Sequence, residues 1–307
     1  KKMVLNKNYI GITGASGLLG RHVIVYLLKK NYKIIATSRK KPLINHRNLI
    51  WKKLDLKKKI EFDKLNKIYK NINSLIHMGA SVPTHGKIIK KREINRTNIN
   101  SSINLAKWSR LNGSHFILIS GAVLYKEKFK KNTENSKILL KSKNTYINSK
   151  ILCEKKILSL RKYYFKLTVV RASSLYGHGM SEKKIIPTMI KKAKKNKPIK
   201  IFNYKDTKIN LIHAKDISSA IYKIIDNSIY GVFNLGSKKC VNFNNLAKTI
   251  VKKLKSKIEI ININKKFFLP SLNPMDISIK LAKKKLKWEP RTDLKAGIKM
   301  MVNKECF

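Results

Sequence analysis

The chain has 307 residues, 43% of them hydrophobic, enough for one large domain or two that share a core. Lysine and arginine total 70 against 16 acidic residues, a formal net charge of +54. The longest uncharged apolar stretches are only as long as a strand, which argues against a membrane span, and residues 1–8 are too polar for a signal peptide. Three widely spaced cysteines form no metal-ligand pattern, so we expect a reduced, cytoplasmic protein.

The positive charge has two explanations. Such an excess is typical of proteins that bind nucleic acid or anionic membranes. However, only nine basic residues are arginine, which binds phosphates and bases more specifically than lysine, and the lysines are spread along the chain. Lysine, asparagine and isoleucine are all specified by AT-rich codons, so mutational bias in an AT-rich genome accounts for their abundance together. We favour this bias over a selected polyanion site and do not expect nucleic acid as a specific partner.

The first half of the chain alternates short apolar runs with helical patterns, which predicts a parallel sheet wrapped by helices. Strands are predicted at residues 9–15, 33–38, 48–55, 74–80, 115–121 and 166–172, and helices at 18–30, 62–70, 87–111 and 144–163. Beyond residue 173, helices are predicted at 184–195, 214–226, 243–254 and 277–286, and short strands at 199–202 and 258–263. The expected fold is α/β, with a Rossmann-type doubly wound parallel sheet and a smaller α/β C-terminal lobe.

A glycine-rich segment follows the first predicted strand. Gly14, Gly17 and Gly20 lie in the sequence TGASGLLG, between that strand and a predicted helix. Glycines at this spacing allow a tight turn and let the backbone approach a pyrophosphate, which the N-terminus of the helix then binds. In this strand–helix context the segment predicts a dinucleotide site.

The second predicted strand ends without an acidic residue. A carboxylate there would bind the ribose 2′-hydroxyl of NAD, whereas a basic residue accommodates the 2′-phosphate of NADP. This strand is followed by Arg39, which composition alone explains poorly in a chain with so few arginines. NADP is therefore favoured over NAD. Asp55, after the third strand, is placed to contact the adenine end, with an exposed loop acid as the alternative interpretation.

Tyr146 and Lys150 lie four residues apart on one face of a predicted helix. A phenol is a poor base at neutral pH, and a neighbouring ammonium favours its ionised form, so the pair suits acid–base chemistry. The same lysine can bond the ribose next to a nicotinamide. This spacing is weak evidence in a lysine-rich chain, but it gains weight because the tyrosine opens the helix after the fifth strand.

Other motifs follow in the order found in one large family. Besides the glycine segment and the Tyr146–Lys150 pair, they are residues 76–80, 119–125, 171–177, 211–216 and 288–290, with Asn98, Glu134 and Glu154. With these motifs in order, the sequence resembles the extended short-chain dehydrogenase/reductase family, the NAD(P)-dependent sugar epimerase and dehydratase group. The resemblance covers nearly the whole chain.

The resemblance implies hydride exchange with a nicotinamide while Tyr146 moves a proton at a substrate oxygen and Lys150 assists it. It implies a Rossmann domain at 1–173, to which 210–237 returns, and a mainly substrate-binding lobe at 174–307. The residues expected to bind the cofactor are Thr13, Gly14, Ser16, Gly17, Leu18, Gly20, Arg39, Asp55, Leu56, Met78, Gly79, Ala80, Asn98, Tyr146, Lys150 and Arg171. Those expected to contact substrate are Thr84, His85, His178 and Lys208. No His, Cys, Asp and Glu cluster suggests a metal.

One departure from the family concerns the third catalytic group. The family has a Ser or Thr four residues before the tyrosine of the fifth-strand motif, where its hydroxyl bonds the reacting oxygen. That position is Gly121 here, and Ser120 precedes it. Ser120 is the candidate donor if the twisted strand end presents it, although neighbouring strand residues point to opposite faces. The alternatives are a backbone amide or weaker oxyanion stabilisation.

A second departure concerns the substrate. In many nucleotide-sugar members an arginine before the segment at 211–216 clamps the diphosphate, whereas this chain offers only Lys208, a point charge without the bidentate fork. The expected function is an NAD(P)-dependent oxidoreductase, epimerase or dehydratase of a nucleotide-activated sugar. The alternatives are an NADPH-dependent carbonyl reductase of the same family and a catalytically weak dinucleotide-binding protein. A homodimer is also implied, though basic helix faces would oppose it.

Overall fold

The structure, a computed structural model, describes residues 9–83, 89–127, 130–202, 208–263 and 275–306. In chain order its strands are β1 (Tyr9–Thr13), β2 (Ile34–Ser38), β3 (Leu49–Lys53), β4 (Ile72–His77), β5 (His115–Gly121), β6 (Lys131–Asn132), β7 (Leu167–Ala172), β8 (Ser174–Tyr176), β9 (Ile199–Phe202), β10 (Lys208–Ile209), β11 (Leu211–His213), β12 (Gly231–Leu235), β13 (Val241–Asn242), β14 (Ile260–Ile263) and β15 (Asp276–Ile277). Its α-helices are α1 (Leu18–Lys29), α2 (Phe62–Ile68), α3 (Lys91–Asn95), α4 (Ser101–Leu111), α5 (Thr145–Ser159), α6 (Ile185–Lys194), α7 (Ala214–Asp226), α8 (Phe243–Leu254), α9 (Lys280–Leu286) and α10 (Leu294–Val302).

Seven strands form one parallel sheet in the order β12-β7-β5-β4-β1-β2-β3. The strand order reverses between β1 and β4, so the carboxyl ends of these strands flank a crevice of the kind that binds nucleotides in doubly wound folds. The sheet confirms the predicted Rossmann-type fold. No helix in the described ranges is long and apolar enough to cross a membrane.

Strand alternation gives the sheet two apolar faces. Residues such as Ile12 and Val170 pack with α1, α7 and α9, whereas neighbours such as Leu75 and Val169 pack with α2, α4 and α5. Burial on both faces explains why these strands read as nearly continuous apolar runs in the sequence. A third apolar cluster lies in the C-terminal lobe between α6, α8, α10 and the β9–β14 pair.

A cluster of aromatic rings joins α1 to β8 and β11. His22 of α1 packs edge-on against His213, with ring centroids 5.5 Å apart, and Tyr176 packs against the other side of His213 at 5.1 Å. Gly177 lies between the two histidines with φ +152°, and a Cβ there would come 3.1 Å from His22 Nε2. The carboxylate of Asp216 accepts hydrogen bonds from two backbone amides near the C-terminus. This geometry gives His213 and Asp216 a structural role.

Several predicted elements differ from those observed. The long helix predicted at 87–111 begins at Lys91 and is interrupted by a π-helical turn, Arg96–Asn100. The hydroxyls of Ser101 and Ser102 donate to carbonyls four residues earlier, within that turn, and so compete with the regular helical hydrogen bonds. The helix predicted at 277–286 starts at Lys280, because Asp276–Ile277 pair with β6 instead.

Seven strands were not predicted: β12 and the short strands β6, β8, β10, β11, β13 and β15. β12 contains a buried Asn234 in a short segment, GVFNL, and its pairing with β7 is a contact between distant parts of the chain. Local periodicity carries no information about such pairing.

We predict that the free energy of unfolding decreases as pH falls from 6.5 toward 4. Burial lowers the pKa of His22 to about 4 and that of His213 to about 3 from the ordinary value of 6.5. Below pH 6.5 the unfolded chain therefore binds protons that the folded protein does not, which favours unfolding by on the order of 1–2 kcal/mol per histidine at pH 5. Urea unfolding at pH 7.5, 6 and 5 measures this loss.

The matched variants are His213→Asn, which keeps an acceptor at the start of α7, and His46→Asn on the exposed surface. His213→Asn should reduce the pH dependence by the contribution of one buried histidine, and His46→Asn should not reduce it. An unchanged slope in His213→Asn would contradict the assignment.

Candidate active site

The glycine turn after β1 brings two parts of the backbone into direct contact. Gly14 has φ +74°, and a Cβ there would lie 2.7 Å from the backbone nitrogen of Gly79, which follows β4. A Cβ at Gly20 would overlap the carbonyl oxygen of Gly14. Only glycine satisfies the positive φ and the close approach together. The turn thus places the start of α1 at the crevice between β1 and β4.

The N-terminus of α1 fits a pyrophosphate. Gly17 is its N-cap residue and supplies no side-chain cap, so the amides of the first turn, beginning with Leu18, are not occupied by a capping oxygen. Arg21 braces the turn by donating from Nε to the carbonyl of Ser16 at 3.1 Å. Uncapped amides and the positive end of the helix dipole together favour an anion. These residues therefore fit the phosphate groups of a dinucleotide.

A chain of buried hydrogen bonds runs from the glycine turn to the π-helical turn. His77 Nδ1 lies 2.7 Å from Thr13 Oγ1, and its Nε2 lies 2.7 Å from Ser102 Oγ, which itself donates to the carbonyl of Asn98. Burial, assisted by the Lys150 ammonium, lowers the pKa of His77 to about 3, so the ring is neutral. Its Nε2–H therefore donates to Ser102, and Thr13 donates to Nδ1.

The side chain of Asn98 joins the loop after β4 to α5. Its Oδ1 accepts from the amide of Ser81 at 2.7 Å, and its Nδ2 donates to the carbonyl of Ser81 and to Ser149 Oγ. Ser149 in turn donates to the carbonyl of Tyr146 at 2.7 Å. Asn98 thus acts on the predicted site through its neighbours. Ser81, Ser102 and Ser149 were missed by the sequence analysis, since their roles depend on contacts between distant segments.

Tyr146 and Lys150 lie in the first two turns of α5, both partly exposed. Asn144 caps this helix by accepting from the amides of Tyr146 and Ile147. Lys150 Nζ donates to the carbonyl oxygen of Ile119 in β5 at 3.0 Å, which holds the ammonium over the carboxyl end of that strand. The ammonium is therefore held at the same edge of the sheet as the glycine turn, and Tyr146 lies one helical turn before Lys150 on α5.

Ser120 and Arg171 lie in a buried cluster, where both side chains contact Glu154. Ser120 Oγ donates to Glu154 Oε2 at 2.5 Å, and Arg171 pairs with Glu154 Oε1 at 2.6 Å. The Ser120 hydroxyl thus already donates to a buried carboxylate, and its role toward a substrate stays a prediction. The Arg171 guanidinium also donates to Tyr125 Oη and the carbonyl of Glu134, contacts that suit a structural charge, and its predicted contact with the cofactor stays a prediction.

The end of β2 lacks the carboxylate side chain that often binds a ribose hydroxyl at this position. Ser38 Oγ donates to the carbonyl of Lys40 at 2.5 Å and accepts from Trp51 Nε1 at 3.1 Å. Arg39 is exposed beside this turn. Asp55 Oδ1 accepts from a backbone amide two residues on, which shapes the loop after β3.

Other predicted cofactor residues line the loops next to the glycine turn. The buried Leu56 side chain reaches Gly79, because a Cβ on that glycine would overlap Leu56 Cδ1. Met78 and Ala80 flank Gly79 and are partly exposed at the crevice.

The predicted substrate residues are less closely grouped. Thr84 and His85 lie outside the described residues. His178 is partly buried, and its carbonyl accepts from His22 Nε2 at 3.1 Å. Lys208 is exposed on β10, which pairs with β13 of the C-terminal lobe.

Lys184, which the sequence analysis missed among so many lysines, reaches across to the carbonyl of Pro83 at 3.4 Å, and burial lowers its pKa. In the described ranges, no group of three His, Cys, Asp or Glu residues could hold a metal ion.

A model of the NAD dependent epimerase/dehydratase family matches residues 10–236. The UDP-glucuronate 4-epimerase of Thermodesulfobacterium geofontis is 24% identical over 317 residues, which cover 96% of this chain and 95% of that protein. The structure of UDP-glucose 4-epimerase from Thermotoga maritima with UDP-glucose has a TM-score of 0.84 at 20% identity, covering 96% of this chain and 98% of that one. The dTDP-glucose 4,6-dehydratase of Bacillus anthracis in complex with NAD has a TM-score of 0.82 at 20% identity, with 97% and 96% covered.

The two solved structures share the fold, and the family match extends from β1 to the residue after β12. It includes the glycine turn, the Tyr146–Lys150 pair and the Glu154–Arg171 cluster. The chain therefore belongs to the NAD dependent epimerase/dehydratase family, as its motifs indicated.

Proposed function

We propose that the protein is an NAD(P)-dependent epimerase or dehydratase of a nucleotide-activated sugar. The observation that supports the proposal is the contact of Lys150 with the carboxyl end of β5, at the edge of the sheet that also holds the glycine turn, with Tyr146 one helical turn earlier on α5. The names of similar proteins, UDP-glucuronate 4-epimerase and dTDP-glucose 4,6-dehydratase, describe enzymes of UDP- and dTDP-linked sugars. A dinucleotide bound by the glycine turn would extend along this edge toward Tyr146.

The chain's own groups suit proton transfer at a substrate hydroxyl or carbonyl. When bound, the nicotinamide would supply or accept a hydride. The ionised side chain of Tyr146, a phenolate, would accept the proton of the hydroxyl during oxidation, and the phenol so formed would return it during reduction. Lys150, held by the carbonyl of Ile119, would favour the ionised phenol and bond the adjoining ribose. Lys184 adds a second partly buried cation beside the loop after β4, suited to an anionic substrate.

NADP as the cofactor is the finer proposal. The hydroxyls of Thr37 and Ser38, at the end of β2, already donate to backbone carbonyls. They are followed by Arg39, Lys40 and Lys41, with no carboxylate to accept from a ribose 2′-hydroxyl. Cationic donors at this place suit a 2′-phosphate, and arginine binds it in bidentate fashion.

We predict that cofactor-free protein binds NADPH more tightly than NADH at moderate salt, measured by fluorescence titration. Arg39→Ala should weaken NADPH binding by about ten- to hundredfold, since it removes charge-assisted hydrogen bonds, and should leave NADH binding unchanged. Arg161→Ala, an exposed arginine beyond α5, is the control for the lost charge and should change neither. Equal binding of both cofactors would contradict the NADP proposal, and binding of neither would overturn the enzymatic proposal.

Turnover should depend on the phenol of Tyr146. We expect Tyr146→Phe to lower kcat on UDP- and dTDP-sugars by about 10²–10⁴-fold, because it removes acid–base catalysis, with a much smaller effect on NADPH affinity. Tyr164→Phe is the matched control on an exposed tyrosine and should retain full activity. Comparable activity of Tyr146→Phe and wild type would refute the assignment.

Two further functions remain as alternatives. A carbonyl reductase is favoured by the basic end of β2, and net oxidation of NADPH on a ketone or aldehyde would distinguish it from an epimerase. A catalytically weak dinucleotide-binding protein is favoured by Gly121. Intact cofactor binding without turnover across both substrate panels would support this last function.

Replacing Gly121 tests the missing hydroxyl. The backbone there is extended, and the atom nearest to a built Cβ is Val123 Cγ2 at 3.6 Å, so a small side chain fits. We expect Gly121→Ser to preserve turnover or raise it, by up to about 10²–10³-fold if the glycine enzyme lacks an oxyanion donor. Gly121→Ala adds the Cβ without the hydroxyl and should give no gain. A large loss in Gly121→Ser would refute the alignment of this position with the family's Ser or Thr.

A further inference from the structure

Positive charge is concentrated where the C-terminal ends of α6 and α8 meet. Ser256 Oγ, just beyond α8, donates to the carbonyl oxygen of Ala193 in α6 at 3.2 Å. The exposed lysines around this hydrogen bond form a surface that we call the lysine cluster: Lys194, Lys195, Lys197, Lys253, Lys255 and Lys257. The bond joins residues 63 positions apart in the chain, so only the fold brings the two groups of lysines together.

The charge of the cluster is not compensated by the protein. In the described ranges, none of its six ammonium groups forms an ion pair with a carboxylate. Lysines in the last turn of a helix interact favourably with the helix dipole, which accounts for Lys194 and Lys253. It does not account for Lys197 and Lys257, which follow the helices. Because like charges held close together repel, the cluster suits an anionic partner.

The composition of the cluster favours a membrane surface over a nucleic acid. Residues 185–200 and 243–260 contain no arginine, and their only aromatic residue, Phe243, is buried. Arginine forks and exposed aromatic rings are the groups that read and stack nucleic-acid bases. By contrast, clusters of about four to eight basic residues on amphipathic helices bind membranes that contain anionic lipids. Both helices are amphipathic, since they bury apolar residues such as Ile190 and Leu246 against each other.

A cavity of about 530 Å³ opens within the cluster. Its lining includes Lys194, Lys255 and Lys257, together with the polar side chains of Asn196 and Ser256. A phosphate group that enters this cavity would meet three ammonium groups at once. The cavity therefore suits the charged headgroup of a lipid.

The cluster lies away from the proposed active site. α6 begins directly after Lys184, whose ammonium donates to the carbonyl of Pro83 in the loop after β4. The helix has ten residues and is about 15 Å long, and the cluster is at its other end. Docking through the cluster would thus leave the loop after β4 uncovered.

We propose that the lysine cluster docks the protein on a membrane surface that contains anionic lipids. The six lysines act as point charges toward lipid phosphates and carboxylates, and the attraction extends over about one Debye length. Mutational bias accounts for the number of lysines in the chain, and the fold accounts for their assembly at this place. The proposal does not rest on the proposed function, because no cofactor or substrate takes part in docking.

The test measures cosedimentation of the full-length protein with vesicles of phosphatidylcholine, with and without phosphatidylserine. Wild type should bind the vesicles that contain phosphatidylserine, and more weakly as salt is added. The triple variant Lys194→Gln, Lys255→Gln, Lys257→Gln should lower the partition coefficient by about a hundredfold, since each lysine near an anionic surface contributes about fivefold. Its thermal midpoint should stay unchanged, because all three side chains are exposed.

The matched control removes the same charge from α9, which packs against the central sheet. Lys280→Gln, Lys284→Gln, Lys285→Gln replaces three exposed lysines and should change vesicle binding by less than about twofold. Equal losses in the two triple variants would assign binding to net charge and overturn the proposal. Undiminished vesicle binding in the cluster variant would also overturn it. A loss of affinity for duplex DNA in that variant, without a loss for vesicles, would overturn it in favour of a nucleic-acid partner.

Discussion

The contact between the turns that follow β1 and β4 is the constraint on which the site depends. Gly14 and Gly79 approach so closely that a Cβ on Gly14 would lie 2.7 Å from the Gly79 nitrogen. Thr13 accepts from the Gly79 amide and bonds His77, so the two strand ends are also joined by side chains. Because both turns are held together at the point where the strand order reverses, the start of α1 faces the crevice. The neutral His77 also bonds Ser102, whose hydroxyl donates to the carbonyl of Asn98. The side chain of Asn98 in turn bonds Ser149 on α5.

A second constraint sets the position of α5. The Glu154–Arg171 pair is almost completely buried, and a charge left without its partner there would be strongly unfavourable. The pair therefore fixes the helix against β5 and β7. Tyr146 lies two turns, about 12 Å, from Glu154 along the helix axis. The catalytic groups proposed in the first turns of α5 thus depend on a buried charge pair further along the helix, and the carboxylate of that pair also accepts a hydrogen bond from Ser120.

Most of the lysines that give the protein its large positive charge take no part in the buried contacts that position the site. Most of the ion pairs in the described part of the chain involve exposed lysines, and such pairs contribute little to stability. By contrast, two of the few carboxylates are buried with specific partners: Glu154 bonds Ser120 and Arg171, and Asp216 bonds two backbone amides. Net charge acts on solubility and association more than on fold, so a basic surface is compatible with an ordinary Rossmann core.

The sequence by itself determined the fold class, the glycine turn and the Tyr146–Lys150 spacing. These features are local: the glycines 14, 17 and 20 act within one strand–turn–helix unit, and a four-residue spacing places two side chains on one helix face. Only the tertiary structure decided which hydroxyls are free. Ser120 and Ser173 both lie near the carboxyl ends of buried strands, yet the first is bonded to Glu154 and the second has no partner in the described chain. The same holds for β12, whose place beside β7 is a pairing of distant segments. Such outcomes depend on contacts between residues far apart in sequence, which neither periodicity nor composition encodes.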